Sequence, residues 1–429
     1  MVKETGMRLD RLHIQNFRCY EDATFDFQPG FNLVVGVNGS GKTSLLQAVA
    51  ASFDDVSGCM GIYSGSLKDQ DARFVIDNYN GRVRFERKYP VVLEASGDVF
   101  GHISWSITKL RSEEMASSDS GLVDIVRGEV EGLSQSSTTD LPLLAFYRGN
   151  RRWSTANVSA EFSATQKISR LDGYKNWFDC AADAKDLESW VIGKTLEELQ
   201  SIRRAPDAMS MFDNELTWIN LAIKCALPDS TGIYYDLPLR SLLVNFGSNN
   251  VIPFNDLSDG QRGLIALIAD IARRMCILNP HMGKDVLQNT SGVVIIDELD
   301  IHFHPAWQRN IVPALKQAFP KVQFIAASHS PQIIGSLKPE EVIVLNNGQS
   351  SHPRVTYGLD SSSVLEEVMD VAQREPEIEQ RLTELFSALE DNDLAKAKFL
   401  LAALKHDAPD LPEFAGAAAL IRRKEILGK

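Results

Sequence analysis

The sequence predicts an α/β protein: a nucleotide-binding parallel-sheet core with an antiparallel β subdomain, a helical lid and a C-terminal helical module. Three observations predict it. Gly36-Val37-Asn38-Gly39-Ser40-Gly41-Lys42-Thr43 matches the G-x-x-x-x-G-K-[ST] phosphate-binding loop at every fixed position. Val293-Val294-Ile295-Ile296 is a β-branched run ending in Asp297-Glu298, as a buried parallel strand reads. Val322 to Ala327 is another buried run, ending in Ser328-His329-Ser330-Pro331.

The order of elements supports the first motif. Phe31 to Val35 is an apolar run behind a Pro29-Gly30 turn, and Ser44 to Phe53 has helical spacing without a breaker. Strand, glycine loop and helix therefore arrive in the sequence that phosphate binding needs. Glycines let consecutive N–H groups face one concavity, and the helix N-terminus adds its partial positive charge. Asn38, Gly39, Ser40, Gly41 and Ser44 would line the cradle, Lys42 would reach the β- and γ-phosphates, and the Thr43 hydroxyl would take one Mg²⁺ position.

Composition narrows the class. The chain has 429 residues, 44% apolar and 24% charged, which suits a soluble globular protein of two or three domains or one large core with insertions. No apolar run approaches the ~18 residues of a membrane span. The N-terminus is polar without a signal-peptide segment, and Met7 is a candidate natural start after a leader or cloning remnant. Five scattered cysteines without a C-x-x-C pair read as reduced thiols, so the expected location is cytoplasmic. A net charge of −13 is the wrong sign for a protein coated in nucleic acid. Two basic stretches, Arg82 to Lys88 and Arg148 to Arg152, read first as solvated strand faces or nucleotide-facing loops, with DNA or RNA contact left open.

Along the chain, Arg8 to Gln15 and Asp22 to Phe27 alternate as strands, with Asn16-Phe17-Arg18 a loop between them. From Asp54 to about Asp140 the helical period is lost. Arg73 to Tyr79, Gly81 to Tyr89 and His102 to Leu110 read as an antiparallel meander, while Ser112 to Ser120 and Ser134 to Asp140 read as polar loops. Leu141 to Tyr147 is a buried strand. Ser163 to Cys225 is mostly helical, with Trp177, Trp190, Phe212 and Trp218 as packing residues, and Ile233 to Val244 returns to strand. After Gly358 four amphipathic helices follow, with Leu382, Leu385, Phe386 and Leu389 marking one face and Phe399, Leu400 and Leu404 another. The expected divisions are 7–158, 159–245, 246–358 and 359–429.

The remaining chemistry sits at strand ends and one helix start. Asp297 would hold the Mg²⁺ shell, and Glu298 would polarise the attacking water. His329 ends a core strand, where it could hydrogen-bond a γ-phosphate or its water. Ser258 is a plausible N-cap for the apolar helix Leu264 to Leu278, and Gly260 would let a phosphate approach that helix start closely. Asp300, His302 and His304 form no recognisable ligand set, so no dedicated metal site is assigned to them.

Together these motifs resemble the ABC-type ATPases of the SMC/RecF class. Gly36 to Thr43 is similar to the Walker A loop, Leu257 to Gly263 to the ABC signature and Val293 to Glu298 to Walker B. Leu299-Asp300 is similar to the D-loop, His329 to the switch histidine and Asn16-Phe17-Arg18 to the N-F-R element. The resemblance covers roughly Met7 to Leu345. It implies that Arg18 packs near base and ribose, and that ATP with Mg²⁺ is bound. It also implies a homodimer or higher oligomer built on head-to-head contact, in which Ser258, Gly260, Gln261 and Asp300 complete the site. Lys42, Glu298 and His329 are the expected catalytic residues. No Q-loop glutamine is visible; by position the loop after Leu141 to Tyr147 should play that part, with Arg148 and Asn150 as candidates only. Within the class, ELDIHFHPAWQ, SHSPQII and the ending IRRKEILGK resemble the Septu (PtuA) and retron-associated ATPases of anti-phage systems. That family pairs with an HNH nuclease. A RecF-like ATPase acting on DNA is the alternative. A nuclease of the overcoming-lysogenization-defect type would need strands after Gly358, where the sequence reads as helix.

Overall fold

The branched and aromatic runs pair into one six-stranded sheet in the computed structural model. The structure describes residues 6–60, 67–79, 82–118, 120–132, 138–151, 153, 158, 163, 168–182, 184–204, 214–247, 250–346, 348–369, 375–408 and 411–427. The chain opens with β1 (Met7–Phe17), β2 (Tyr20–Asp26) and β3 (Phe31–Val35). Next come β4 (Phe74–Tyr79), β5 (Arg82–Arg87), β6 (Val91–Val99), β7 (His102–Lys109) and the short β8 (Ser117–Ser118). Then follow β9 (Leu143–Tyr147), β10 (Gly232–Asp236), β11 (Ser241–Asn245) and β12 (Val251–Pro253). The last are β13 (Gly292–Ile296), β14 (Val322–Ala327), β15 (Val342–Asn346) and β16 (Gln349–Ser351).

The central sheet runs β16-β15-β3-β14-β13-β9, parallel throughout except for the edge strand β16. Every residue of β3, β9, β13 and β14 is buried, as their mostly apolar runs require of strands covered on both faces. Phe31 stacks on Phe324 across the middle, with ring centroids 5.8 Å apart. Asn32 and Gln323 are the polar exceptions, and Gln323 joins two sheets. Its amide accepts from the Leu9 N–H at 2.9 Å and donates to the Leu9 and Gln28 carbonyls at 2.7 and 3.0 Å. A buried amide costs little once paired, and this one ties β1 to the central sheet.

The second sheet runs β2-β1-β6-β7-β8 and is antiparallel. Here the structure corrects the expected meander. β4 and β5 pair with each other only, and β6, which the sequence pattern does not announce, joins β1 to β7. Val91, Leu93 and Ala95 are buried at period two, but Glu94, Gly97 and Asp98 dilute the signal. Another correction is the helix Ser120–Gly132, within the stretch read as having no helical period. Leu122 and Val126 are its buried contacts, a four-residue spacing too brief to show in a polar neighbourhood. β1 also continues through Asn16 and Phe17, so that element is a strand end rather than a loop. Phe212 lies outside the described residues, as does much of Ser134 to Asp140. Trp177 and Trp190 are buried.

The helix Asp259–Leu278 crosses the first unit with every residue from Leu264 onward buried. Its buried charged residues centre on Asp270. Asp270 accepts from Arg273 at 2.6 Å, from Arg274 at 2.7 Å and from the Tyr147 hydroxyl at 2.8 Å. Burial alone would raise this carboxyl, but the two guanidinium groups hold it down to about 2.

The chain divides into two compact units, Met1–Asp360 and Ser361–Lys429. The second is a small helical cluster of Ser361–Glu367, Pro376–Glu390, Leu394–Asp407 and Glu413–Leu427. Its core is Leu382, Leu385, Leu389, Ala397, Leu401, Leu404, Phe414 and Ile421. Phe399 corrects the face assignment: it is 73% exposed, because Ala397, Leu401 and Leu404 turn the other side inward. No described helix is long and apolar enough to cross a membrane.

Replacing Asp270 with Ala leaves two buried guanidinium groups uncompensated, and loss of one partner of a buried pair costs about 3–5 kcal/mol. Chemical denaturation of Asp270→Ala should show a loss of that size; a loss under about 1 kcal/mol would mean the network is not an anchor. The folded-state pKa lies below the unfolded value, so the carboxylate's contribution is present above about pH 4. It should fade as pH falls toward about 2.

Candidate nucleotide site

Parallel register brings the ends of β3, β14, β13 and β9 to one edge, so the loops after Val35, Ala327, Ile296 and Tyr147 converge. This edge is where open α/β sheets bind ligands. A cleft of ≈ 260 Å³ opens there, bringing Asn38, Gly39, Gly41, Lys42, Thr43 and Ser44 together with Asp297, Glu298 and His329.

The loop is shaped for a close approach. Gly41 lies in the left-handed region at φ 105°, and a β-carbon on it would stand 2.6 Å from the Tyr20 hydroxyl oxygen. That hydroxyl donates to the Gly41 carbonyl at 3.0 Å, so β2 braces the loop from behind. Ser40 Oγ is buried without a hydrogen-bond partner, an unsatisfied group that a phosphate oxygen would satisfy. The Lys42 ammonium donates to the Gly36 and Val37 carbonyls, each at 2.9 Å. Burial draws its pKa down, while Asp297, Glu298 and Asp300 act the other way. Anion-binding backbone, a buried cation and an orphan hydroxyl make a phosphate cradle.

The carboxylates face it. Asp297 is 6% exposed, and burial raises its pKa, against hydrogen bonds from the Thr43 hydroxyl and the Glu298 N–H. A carboxylate bonded to this hydroxyl is the donor pair that a hard cation such as Mg²⁺ uses. Glu298 is exposed, with a left-handed backbone at φ 49°, uncommon for a residue with a side chain. A β-carbon on Gly149 would stand 2.9 Å from the Glu298 carboxyl carbon, so a side chain there would push that carboxyl aside. His329 is half-buried; burial and the nearby Lys42 push its imidazole below the usual value, leaving it neutral at pH 7. The His329 backbone N–H donates to Asp300 Oδ1 at 3.3 Å.

The residue that sequence reasoning misses is Arg151. It is buried, and its guanidinium donates to the carbonyls of Asp297 at 2.5 Å, Glu298 at 2.9 Å and Arg148 at 3.2 Å. Burial lowers its pKa to about 10, still far above neutral pH. In the sequence it is one cation in a basic run, and nothing local distinguishes it.

Other expected residues stand elsewhere. The Arg18 guanidinium is clamped on the Asp71 carboxylate at 2.7 Å, and Cys19 rather than Arg18 lines the cleft. Arg148 donates to the Phe178 carbonyl and lies 4.7 Å over the Phe178 ring, turned into the packing. Asn150 is exposed. Ser258 is the N-cap expected, and it shares a capping box with Gln261: Ser258 Oγ accepts from the Gln261 N–H, and Gln261 Oε1 from the Ser258 N–H, each at 3.3 Å. Both side chains therefore serve the helix start. Gly260 is buried, and a β-carbon on it would stand 2.2 Å from the His302 carbonyl oxygen. None of Ser258, Gly260 and Gln261 lines the nucleotide cleft; Asp259, beside them, lines a separate cavity of ≈ 520 Å³ with Arg262, Trp153 and His302. Among the described residues, no three of His, Cys, Asp and Glu are grouped to hold a metal ion.

The sequence model of the family described as "AAA domain, putative AbiEii toxin, Type IV TA system" matches residues 31–335, from β3 past His329. The chain belongs to this AAA-domain family. It is 26% identical over 86% of its length to the "Retron Ec83 probable ATPase" of Escherichia coli, covering 78% of that protein. It is 23% identical over 90% of its length to the "Septu protein PtuA" of Bacillus thuringiensis, covering 91% of that protein. Among solved structures it is similar to an Smc head bound to the C-winged helix domain of ScpA, at 14% identity and TM-score 0.47, covering 81% of this chain and 97% of that one. As a member of the AAA-domain family with its phosphate loop, two carboxylates and histidine in one cleft, the chain is a P-loop ATPase.

Gly149→Ala is expected to displace the Glu298 carboxyl without touching the cradle. Misplacing a catalytic group by about 1 Å costs roughly 10²-fold in rate, so kcat for phosphate release should fall by that order while nucleotide affinity holds. A folded Gly149→Ala protein with unchanged kcat would show that Glu298 needs no such clearance.

Proposed function

We propose that this chain is an ATP-hydrolysing head that dimerises and regulates a partner nuclease of the HNH type in anti-phage defence, within the cytoplasm. The observation that carries the ATPase part is the convergence of Lys42, Asp297, Glu298 and His329 in one cleft. Lys42 and the N–H groups of the loop hold the phosphates of ATP. Thr43 and Asp297 would hold Mg²⁺, which when bound neutralises charge on the β- and γ-phosphate oxygens. Glu298 orients the attacking water and receives its proton, and neutral His329 donates to or accepts from the γ-phosphate region. Water attacks the γ-phosphorus, the bond to the ADP oxygen breaks, and inorganic phosphate leaves. Catalysis of this kind rests on positioning and charge, and turnover is expected to be slow and regulated.

The dimer is argued from the signature turn. Ser258 and Asp259 are exposed at the start of a long buried helix, on a surface separate from the chain's own cleft. A helix start facing outward is a ready anion site, and the γ-phosphate held by a second copy is the anion the head-to-head arrangement offers it. The effector role rests on the relatives: the proteins named retron ATPase and Septu PtuA align over most of this chain. The helical unit Ser361–Lys429 is the proposed docking or oligomerisation module, and no nuclease chemistry is assigned to the chain itself.

Lys42→Ala should weaken nucleotide binding, and His329→Ala should slow turnover with binding retained. Glu298→Gln keeps the shape of the side chain but cannot take a proton. In size-exclusion chromatography it should run as a dimer with ATP and return to monomer without it; an unchanged elution volume would defeat the head-to-head reading. Co-expression with the product of a neighbouring HNH gene should yield a complex, and protection against phage should need both genes. Protection by this chain alone would defeat the effector reading and leave the ATPase reading intact.

A further inference from the structure

The β4–β5 ribbon pairs with no other strand among the described residues. Its register sets Phe74 opposite Arg87 and Ile76 opposite Phe85, and alternation puts Val83 on the same face. Phe74, Ile76, Val83 and Phe85 are 51%, 61%, 54% and 63% exposed, four large apolar side chains on one side of a two-stranded ribbon. Phe74 and Phe85 stack with centroids 5.6 Å apart and planes 12° from parallel, and the Arg87 guanidinium lies 5.6 Å over the Phe74 ring. A contiguous exposed apolar face on a polar protein marks a contact surface.

Charge selects what it contacts. Residues 73–88 hold Arg73, Arg82, Arg84, Arg87 and Lys88 against Asp77 and Glu86, a local excess of positive charge in a chain of net charge −13. That local excess favours an anionic occupant. Exposed, stacked aromatic rings with an arginine over one of them offer what unpaired bases use, since every base has a π-face. A duplex hides those faces, and presents only groove edges and phosphates. We propose that the β4–β5 ribbon is a docking platform for single-stranded nucleic acid, with bases on Phe74 and Phe85 and phosphate on the exposed Arg84.

Backbone bonds tie the root of the ribbon to the rim of the nucleotide cleft. Arg73 N–H donates to the Asn16 carbonyl at 2.8 Å, Lys88 N–H to the Arg73 carbonyl at 2.9 Å and Arg18 N–H to the Asp71 carbonyl at 2.7 Å. The root of the ribbon is thus bonded to the turn whose next residue, Cys19, lines the cleft. Any effect of bound strand on turnover rests on the ATPase reading; the binding itself does not.

Fluorescence anisotropy of the full chain with labelled oligo-dT and oligo-U of about 16 nucleotides tests it, read at about 50 mM salt and upward. Wild-type protein should bind single strands more tightly than a duplex of equal length. Phe74→Ala/Phe85→Ala, changed at exposed positions and checked by thermal melting, should lose at least about tenfold in affinity. Arg84→Ala should flatten the salt slope by about one. Unaltered affinity in the double variant, equal affinity for duplex, or no binding by wild type would each overturn the proposal. Loss of self-association in the double variant, without any oligonucleotide binding by wild type, would make the ribbon a protein contact and overturn it too.

Discussion

One buried cation fixes the geometry of the acidic strand end. Arg151 gives its guanidinium to three carbonyls, two of them on the residues whose side chains face the cleft. A charge taken out of water must be paired or solvated by dipoles, and here the backbone of the Asp297-Glu298 turn solvates it. The arrangement works in both directions. The charges of Asp297, Glu298 and Asp300 oppose loss of the guanidinium's proton, and the guanidinium is bonded to the carbonyl of Glu298, whose left-handed backbone a side-chain-bearing residue adopts only at a cost. Without that hold, relaxation of the turn would swing the Glu298 carboxyl off the bare surface of Gly149.

The electrostatics of the cleft follow from the same burial. Lys42 and His329 are each drawn toward their neutral forms, and Asp297 likewise, because all three lose water together. Mutual attraction between Lys42 and the carboxylates opposes this for the ammonium and for Asp297. A triphosphate with its divalent cation brings both signs of charge into such a site. It therefore compensates the ammonium and the carboxylate at once, where a lone anion or a lone cation would serve one and strain the other.

Much of this is legible in the sequence. The phosphate loop, the two acidic residues and His329 each end or follow a mostly apolar run, and parallel strands advertise themselves by such runs. The helix cap at Ser258 is legible for the same local reason. Contacts made by long side chains are not. Arg18 turns to Asp71, Arg148 to Phe178 and Arg151 to three carbonyls, and the sequence shows only that each is a cation near the site. β6 and the helix Ser120–Gly132 escape notice because their buried residues are few and diluted by polar ones. Phe399 is misplaced because hydrophobicity alone does not say which of two neighbouring stripes a short helix will bury.

The capping box constrains how the signature turn can act. Ser258 Oγ already accepts from the Gln261 N–H, and Gln261 Oε1 already accepts from both the Ser258 N–H and the Ser258 hydroxyl, the last at 3.0 Å. Gly260 is spoken for as well, since the His302 carbonyl occupies the space of a side chain. What the turn still offers an incoming phosphate is the set of N–H groups that no helix start can bond internally, together with the helix dipole. In the proposed dimer the motif's side chains would shape the turn and its backbone would do the binding. Serine and glycine at those positions let the helix begin tightly against the 302–307 segment.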